Sequence, residues 1–279
     1  MGVTGSDMTT TGFLHPGAMG STIGANCAGA RFWVSAGRSA ASAARADDAG
    51  LSDAGSLDAL VDACDTIVSV CPPDRAVAVA HAVASTGFDG VYVDANAVSP
   101  ATTAEIGALF DRYVDGGIVG PPAVRAGTTR MYLSGDEAAQ VADRWSGSAL
   151  DVRPIDGGVG AASAVKMLFA GWTKGTSALL LALNAAADTY GVAETLHDEW
   201  STSIPDLPGR SQRTAPGTAL KAWRFEGEMH EIATTLEAAG LPPEFHQAAG
   251  EIYRRMARFR DADPPPELDD VVAALLGDR

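Results

Sequence analysis

A glycine-rich turn near the start of the chain has the residue types that bind a dinucleotide phosphate. The segment from Gly12 to Gly20 reads Gly-Phe-Leu-His-Pro-Gly-Ala-Met-Gly, and it stands where a predicted strand gives way to a predicted helix. Glycine lets a ligand approach the backbone closely, and the amide groups at a helix N-terminus carry partial positive charge. The predicted contacts of this turn with the pyrophosphate of a nicotinamide dinucleotide are Leu14, His15, Pro16, Gly17, Ala18, Met19 and Gly20.

The residues after the second predicted strand favour NADP over NAD. Proteins that bind NAD usually place an acid there, which accepts hydrogen bonds from the adenosine ribose. The stretch from residue 31 to 46 contains no acid, and it contains Arg38 followed by Ser39. A guanidinium beside a hydroxyl suits the 2′-phosphate of NADP, because charge-assisted hydrogen bonds to arginine are strong and directional. We predict NADP(H) as the cofactor, with Arg38 and Ser39 among its contacts; a solvated loop arginine is the alternative interpretation.

Lysine is rare in this chain and supplies the candidate for proton transfer. There are 3 lysines against 17 arginines, and Lys166 and Lys174 both lie in a nearly uncharged stretch of predicted helix. A desolvated ammonium can exchange a proton near neutral pH, whereas a guanidinium cannot. The helix begins just after the predicted nucleotide-binding domain, which favours Lys166 as a general acid or base. The alternative is that both side chains only extend to the helix surface.

Small and polar residues follow three further predicted strands and are candidates for ligand contacts. Cys71 and Pro72 end an apolar strand and are predicted to pack near the cofactor, with Cys71 as a loop residue rather than a reactive thiol. Asn96 follows the next strand and is predicted to bind either the nicotinamide ribose or the substrate, although asparagine is also a common turn residue. Gly120 and Pro121 form another loop that a substrate can approach closely.

The pattern of apolar and breaker residues predicts two domains. Short strands alternate with helices up to residue 158, which predicts a Rossmann-type, doubly wound parallel sheet preceded by a flexible N-terminus at residues 1–10. Residues 159–279 are predicted to be all-helical and to start with a long apolar helix over 161–190, buried between domains or subunits. The predicted elements are strands at 11–15, 31–35, 66–70, 91–94, 117–119 and 130–134, and helices at 21–28, 40–49, 57–64, 75–85, 105–111, 193–200, 219–239, 243–259 and 269–276.

Composition excludes several classes of partner. The chain has 279 residues and a formal net charge of −15, and nucleic acids or anionic membranes require clustered Lys and Arg. We find no apolar run long enough to span a bilayer and no signal peptide. The three cysteines and five histidines show no metal-ligand spacing, so we predict no metal, and the odd cysteine count fits a reduced, cytoplasmic protein.

These segments together resemble the β-hydroxyacid dehydrogenase superfamily, which includes 6-phosphogluconate and 3-hydroxyisobutyrate dehydrogenases. The resemblance is carried by the turn at 12–20, the loop at 94–100 and the glycine-then-lysine segment at 157–166, and it runs from about residue 11 to 260. Two further segments, around Trp172-Thr173-Lys174-Gly175 and around Glu228, resemble a phosphogluconate-dehydrogenase-like subgroup. The resemblance implies that Lys166 is the general acid/base for a hydroxyl or carbonyl, and that the helical domain forms a homodimer.

The chain also departs from the pattern of that superfamily. His15 replaces the first glycine of the nucleotide fingerprint, Gly120-Pro121 replaces part of a carboxylate-binding loop, and Ala170 stands where an asparagine usually follows the lysine. We therefore expect a larger or less polar substrate than 6-phosphogluconate, with contacts from Asn96, Gly120, Pro121, Ala170, Lys174 and Glu228. Glu228 also fits a solvated helix face.

Three functions remain open from the sequence. The first is an NADP-dependent dehydrogenase or reductase that acts on a small hydroxyl/carbonyl substrate. Imine reduction is the second, although imine reductases commonly lack the lysine. The third is a non-catalytic NADP-binding sensor or accessory protein.

Overall fold

Eight short strands form one sheet in the N-terminal part of the protein. The structure, a computed structural model, describes residues 9–277. The strands are Thr10–Phe13 (β1), Ala30–Trp33 (β2), Ser52–Asp53 (β3), Thr66–Ser69 (β4), Val91–Asp94 (β5), Tyr113–Val119 (β6), Arg130–Ser134 (β7) and Asp151–Pro154 (β8). Their order in the sheet is β3-β2-β1-β4-β5-β6-β7-β8. The order reverses between β1 and β4, and ligands of doubly wound sheets bind at such a point.

The sheet is parallel except at one pair of strands. Strands β1 to β6 pair in parallel, whereas β7 runs antiparallel to β6, with Asp115 opposite Ser134. A wholly parallel sheet was the expectation, and it is wrong at this pair. The segment that joins β6 to β7, residues 120–129, contains no helix, and a parallel return needs a crossover of about a dozen residues or more.

Helices cover both faces of the sheet, which explains the apolar strands. They are Ala18–Ala25 (α1), Ala40–Asp48 (α2), Leu57–Ala63 (α3), Pro73–Ala84 (α4), Pro100–Gly107 (α5) and Ala138–Ala142 (α6). Successive strand residues point to opposite faces, so Phe13 and Leu14 belong to two separate core clusters. The predicted α/β class of this part of the chain is confirmed. Residues 1–8 of the predicted flexible N-terminus lie outside the described residues, but Thr10 already belongs to β1 rather than to a frayed end.

A 29-residue helix, Ala161–Thr189 (α7), begins in the first of two compact units and ends in the second. The units divide between Met167 and Leu168, whereas the predicted boundary lies at 158/159, before the helix begins. The later division has a structural reason, because the first turns of α7 pack on strand β6. A Cβ atom added at Gly117 of β6 would lie only 2.4 Å from the carbonyl oxygen of Ala162.

The second unit is helical, as predicted. After α7 it contains Ala193–Ser203 (α8), Leu207–Ala219 (α9), Ala222–Ala238 (α10), Glu244–Met256 (α11) and Leu268–Leu276 (α12). Helix α9 occupies a stretch that we predicted to be broken, because it contains Pro208 and Pro216. Pro208 stands in the first turn, where no intrahelical amide bond is lost. Ala215 and Ala219 are fully buried, so tertiary packing outweighs the helix penalty of Pro216.

Within residues 9–277, no helix combines the length and the apolar character needed to cross a bilayer.

Candidate functional site

The glycine-rich turn leads directly from β1 into helix α1. Gly17 precedes the helix, no side chain caps the N-terminus, and the first intrahelical bond runs from the Ser21 amide to the Gly17 carbonyl at 3.0 Å. A Cβ at Gly20 would lie 2.2 Å from the carbonyl oxygen of His15, so this tight turn requires glycine. A Cβ at Gly17 would meet nothing within 4 Å. The backbone here is therefore open to a ligand from outside, which is the geometry that a pyrophosphate needs.

Two adjoining cavities lie beside this turn, at the ends of β1, β2 and β4. We call the larger one the basic cavity; it has a volume of about 460 Å³ and is lined by His15, Arg38, Cys71, Pro72, Arg75, Ala78, Val79 and Ala82. We call the smaller one the apolar cavity; it measures about 220 Å³ and is lined by Leu14, His15, Val34, Ala36, Arg38, Leu57, Val79, Ala82 and Val83. Five residues predicted to contact the cofactor, Leu14, His15, Arg38, Cys71 and Pro72, thus line one continuous region of the surface.

His15 occupies the boundary between the two cavities. Burial and the neighbouring Arg38 charge lower the pKa of His15 to about 4, so the imidazole is neutral at pH 7. Its Nδ1 atom is buried and has no hydrogen-bond partner among the described residues. A buried polar atom without a partner is costly, and a ligand that supplies the partner recovers that cost.

An acid that the sequence analysis missed shapes the loop that presents Arg38. The Asp53 carboxylate accepts hydrogen bonds from the backbone amides of Ser35, at 3.2 Å, and Gly55, at 2.7 Å. These bonds hold the pKa of Asp53 below its usual value. Ser39 then caps helix α2 by accepting a bond from the Ser42 amide at 3.3 Å. Asp53 lies on a two-residue strand, which is too short to recognise from the sequence.

The Asn96 side chain joins the loops that follow β4 and β5. Its Oδ1 accepts a hydrogen bond from the Cys71 amide at 2.6 Å, and its Nδ2 donates to the Ser69 hydroxyl at 3.1 Å. Only 2% of Asn96 is exposed. In this structure it positions the Cys71 loop, and a direct contact with ribose or substrate remains a prediction. Burial raises the pKa of the Cys71 thiol to about 12, which is consistent with a loop residue rather than a nucleophile.

A buried carboxylate attaches the start of α7 to the sheet. Asp115, in the middle of β6, accepts hydrogen bonds from the amides of Gly160 and Ser163, both at 3.0 Å, and from the Ser163 hydroxyl at 2.6 Å. The Ser134 hydroxyl also donates to it, at 2.9 Å. A negative charge is stabilised at a helix N-terminus, where the helix dipole is positive. The only sequence signal for this role is an acid inside an otherwise apolar strand.

Lys166 lies one turn beyond the attached end of α7. A Cβ at Gly117 would approach the Cβ of Lys166 to 3.0 Å, so the base of the lysine side chain packs against Gly117 of β6. Lys166 is partly exposed. The Asp115 network and the small residue at 117 therefore fix the position of the predicted acid/base relative to the sheet.

A second buried acid lies close to Asp115. Asp94, at the end of β5, accepts hydrogen bonds from the Asn96 amide at 3.0 Å and from the Tyr113 hydroxyl at 3.4 Å. Burial, and to a smaller extent the charge of Asp115, raises the pKa of Asp94 to about 7. Through its bond to the Asn96 amide, Asp94 helps to set the conformation of the loop that contains Asn96.

The loop after β6 is exposed, and the backbone atoms at its two ends pack closely against each other. Gly120 has a φ of +123°, and a Cβ there would lie 2.3 Å from the Thr128 carbonyl. The Pro121 carbonyl accepts a hydrogen bond from the Thr129 hydroxyl at 2.6 Å. Both residues are exposed at the end of β6. A substrate contact from either remains a prediction.

The helical unit contains the other three predicted substrate contacts, and two of them bind each other. Lys174 forms an ion pair with Glu228, and its ammonium lies 4.4 Å from the centre of the Phe225 ring. Only 8% of Glu228 is exposed, so the interpretation of this acid as part of a solvated face is wrong. Ala170 is buried as well. Nothing in these contacts assigns a ligand to this group.

Among residues 9–277, no three His, Cys, Asp or Glu side chains are grouped so that they could hold a metal ion.

The fold has several solved relatives. A conserved hypothetical protein from Sinorhizobium meliloti 1021 shares 24% identity with a TM-score of 0.70, covering 97% of this chain and 96% of that one. The 3-hydroxyisobutyrate dehydrogenase of Mycobacterium tuberculosis, solved with L-serine, shares 18% identity with a TM-score of 0.65, covering 96% and 98%. This chain has the β-hydroxyacid dehydrogenase fold. The resemblance seen in the sequence is thereby confirmed for the fold.

Two further matches are to a family model and to a less similar solved structure, and one comparison found no match. Residues 187–256, in the helical unit, match a domain family of unknown function, DUF1932. A reductive aminase from Aspergillus terreus, solved with NADPH and ethyl levulinate, is similar at 16% identity and a TM-score of 0.52, covering 96% of this chain and 99% of that one. No curated protein matches the sequence.

Proposed function

We propose that the protein is an NADP(H)-dependent oxidoreductase that acts on a small hydroxyl/carbonyl substrate. The observation that carries this proposal is the basic cavity, which adjoins the glycine turn at the point where the strand order reverses. Ligands of doubly wound sheets bind there. The β-hydroxyacid dehydrogenase fold, shared with a 3-hydroxyisobutyrate dehydrogenase and with a reductive aminase solved with NADPH, supports the same reaction class.

The residues present fit a nicotinamide dinucleotide. The turn at Gly17 leaves space for a pyrophosphate beside the amides of α1, and the unpartnered Nδ1 atom of His15 lies next to Arg38. Arg38 and Ser39 would bind the adenosine 2′-phosphate, while Cys71, Pro72 and Asn96 lie further along the strand ends. When bound, the nicotinamide supplies or accepts the hydride.

In the proposed mechanism, Lys166 moves the proton. Its ammonium donates a proton to the oxygen of a carbonyl substrate during reduction, and its amine accepts that proton from the hydroxyl during oxidation. Asp115 has a positioning role, because its bonds to Gly160 and Ser163 fix the first turn of the helix that bears Lys166. Gly120 and Pro121 are proposed to contact the substrate, and the absence of polar side chains there favours a substrate other than 6-phosphogluconate.

The experiment that tests this function is an assay of NADPH oxidation with a panel of carbonyl and imine compounds. Turnover of carbonyl compounds, lost in Lys166→Ala, supports the proposal. Turnover of imines that survives Lys166→Ala supports imine reduction, which the similarity to the reductive aminase makes the second candidate. NADPH binding without turnover of any compound indicates a sensor or accessory protein.

Replacing Arg38 with alanine is expected to weaken NADPH binding by about tenfold or more while leaving NADH binding nearly unchanged. A hydrogen bond to a charged group contributes about 1.5–3 kcal/mol, and only NADPH carries the 2′-phosphate. Isothermal titration calorimetry with each nucleotide measures both effects. Arg153→Ala, at the exposed strand β8, removes the same charge and is the matched control. An equal loss for NADPH and NADH contradicts a phosphate contact.

We also propose that the helical unit forms a homodimer through its long helix. In the single chain, several large apolar side chains of α7 are exposed on one face: Leu168, Phe169, Trp172, Leu179 and Leu183. An apolar groove of about 360 Å³ lies beside Leu179, lined also by Phe245 and Ile252. Contiguous exposed apolar surface of this kind marks an interaction site, and a second copy of the chain can cover it with the same face.

Light scattering tests the dimer. The wild-type protein is expected at twice the mass of the chain, and Leu179→Glu is expected to shift it to the monomer, because a carboxylate would be buried at the interface. Val124→Glu makes the same substitution at an exposed apolar residue of the first unit and is expected to leave the dimer intact. A monomeric wild type overturns the proposal.

A further inference from the structure

Arg75, in the first turn of α4, shares the basic cavity with Arg38 although it lies 37 positions later in the chain. Arg75 is not among the contacts predicted from the sequence. None of the eight residues that line this cavity is acidic. Two guanidinium groups around one acid-free cavity are unusual in a chain with a formal net charge of −15. Cations placed together without a facing acid repel each other, and an anionic ligand removes that repulsion.

The partners of the two arginines leave them available to a ligand. Arg75 has Asp74 at 3.5 Å, with both side chains about 70% exposed, which makes a weak surface pair. Arg38 forms no ion pair with any residue between 9 and 277. The two titratable neighbours that line the cavity with them, His15 with a pKa near 4 and the Cys71 thiol with a pKa raised to about 12, are both neutral at pH 7.

The apolar cavity beside the two arginines narrows the class of ligand. It shares His15, Arg38 and Val79 with the basic cavity, and its other walls include Leu14 and Val34. A flat apolar group fits such a space, while a phosphate fits the basic cavity. Adenosine with a phosphate on its ribose carries both of these groups.

We propose that Arg75 is a second 2′-phosphate-binding residue, so that Arg38, from the loop after β2, and Arg75, from helix α4, bind the phosphate from both sides with the adenine in the apolar cavity. This inference rests on the proposed function, since it assumes that the nucleotide binds here. Its consequence is that selection of NADP over NAD depends on α4 as well as on the loop after β2. A single arginine would bind the phosphate from one side only.

The experiment compares 2′,5′-ADP with 5′-ADP by isothermal titration calorimetry, using the full chain and no nicotinamide. Arg75→Gln is expected to weaken the binding of 2′,5′-ADP by about tenfold or more and to change the affinity for 5′-ADP by less than about twofold. The reason is that the lost charge-assisted contact is made to the 2′-phosphate, which 5′-ADP lacks. Arg75→Lys, which keeps the charge, is expected to lose less affinity for 2′,5′-ADP than Arg75→Gln does. Arg153→Gln removes one exposed positive charge elsewhere and is expected to bind both nucleotides as the wild type does. Circular dichroism checks that each variant is folded.

The outcomes separate this inference from the proposed function. If the wild type prefers 2′,5′-ADP and Arg75→Gln keeps that preference in full, the role of Arg75 is refuted while the cofactor proposal stands. If the wild type binds neither nucleotide, or binds both equally, the proposed NADP site and the role of Arg75 fail together. A loss in Arg75→Gln that affects both nucleotides equally also overturns the inference, because it indicates an effect on the adenosine or on the fold.

Discussion

Replacing Lys166 with alanine is expected to lower kcat by at least about a hundredfold, because positioned acid/base groups contribute about 10²–10⁴. The cofactor affinity is expected to stay within about twofold, since Lys166 lies on α7 and not at the basic cavity. Steady-state kinetics on any substrate from the carbonyl panel gives kcat, and calorimetry gives the affinity for NADPH.

Two further variants test whether the loss of activity is due to proton transfer by Lys166. Lys166→Arg keeps a positive charge but cannot titrate near neutral pH, so it is expected to be as inactive as the alanine variant. Lys221→Ala changes an exposed lysine at the start of α10 and is expected to retain full activity. A loss of less than tenfold in Lys166→Ala would show that another group transfers the proton.

Breaking the ion pair of the helical unit is expected to have the largest effect on stability. Glu228→Ala leaves the Lys174 ammonium buried against the Phe225 ring without its carboxylate. Removing one partner of a buried pair costs about 3–5 kcal/mol, because a charge is left uncompensated in an apolar environment. For a chain of this size, that is expected to lower Tm by about 6–20 °C. Differential scanning calorimetry measures the shift.

A double variant distinguishes the pair from its individual members. Lys174→Met with Glu228→Leu removes both charges and keeps the volume, so it is expected to recover most of the lost stability. Glu237→Gln, at an exposed position of the same helix, is expected to change the free energy of unfolding by less than about 0.5 kcal/mol. If Glu228→Ala is as stable as the wild type, the pair has no structural role. The substrate contacts predicted for both residues then regain support.

The sequence alone predicts the parts of this protein that depend on local patterns. Strands β5 and β7 lie where the apolar runs place them, and the glycine-rich segment at 12–20 contains the turn that joins β1 to α1. The long helix begins at Ala161, as predicted. In each case the signal is contained in a few neighbouring residues: alternating or continuous apolar side chains, glycine at a tight turn, or a run of good helix formers.

The parts that the sequence did not predict depend on partners distant in the chain. In the sequence, Asp115 is an acid inside an apolar strand, and the backbone amides that bind it lie 45 or more residues later in the chain. Glu228 looks like a surface acid until Lys174 lies opposite it. Arg75 joins Arg38 only because β4 lies beside β1, with β2 on the other side. The spacing of neighbouring residues does not indicate which distant residues come into contact, so the roles of these residues can be recognised only in the folded chain.

A crystal structure of the protein with NADPH tests the central claim most directly. We predict the 2′-phosphate at Arg38 and the pyrophosphate at the first turn of α1. The Lys166 ammonium is predicted to face the reactive carbon of the nicotinamide across a space that holds one carbonyl group. A nicotinamide bound elsewhere, or a Lys166 ammonium directed to bulk solvent on the far side of α7, would contradict the proposed enzyme.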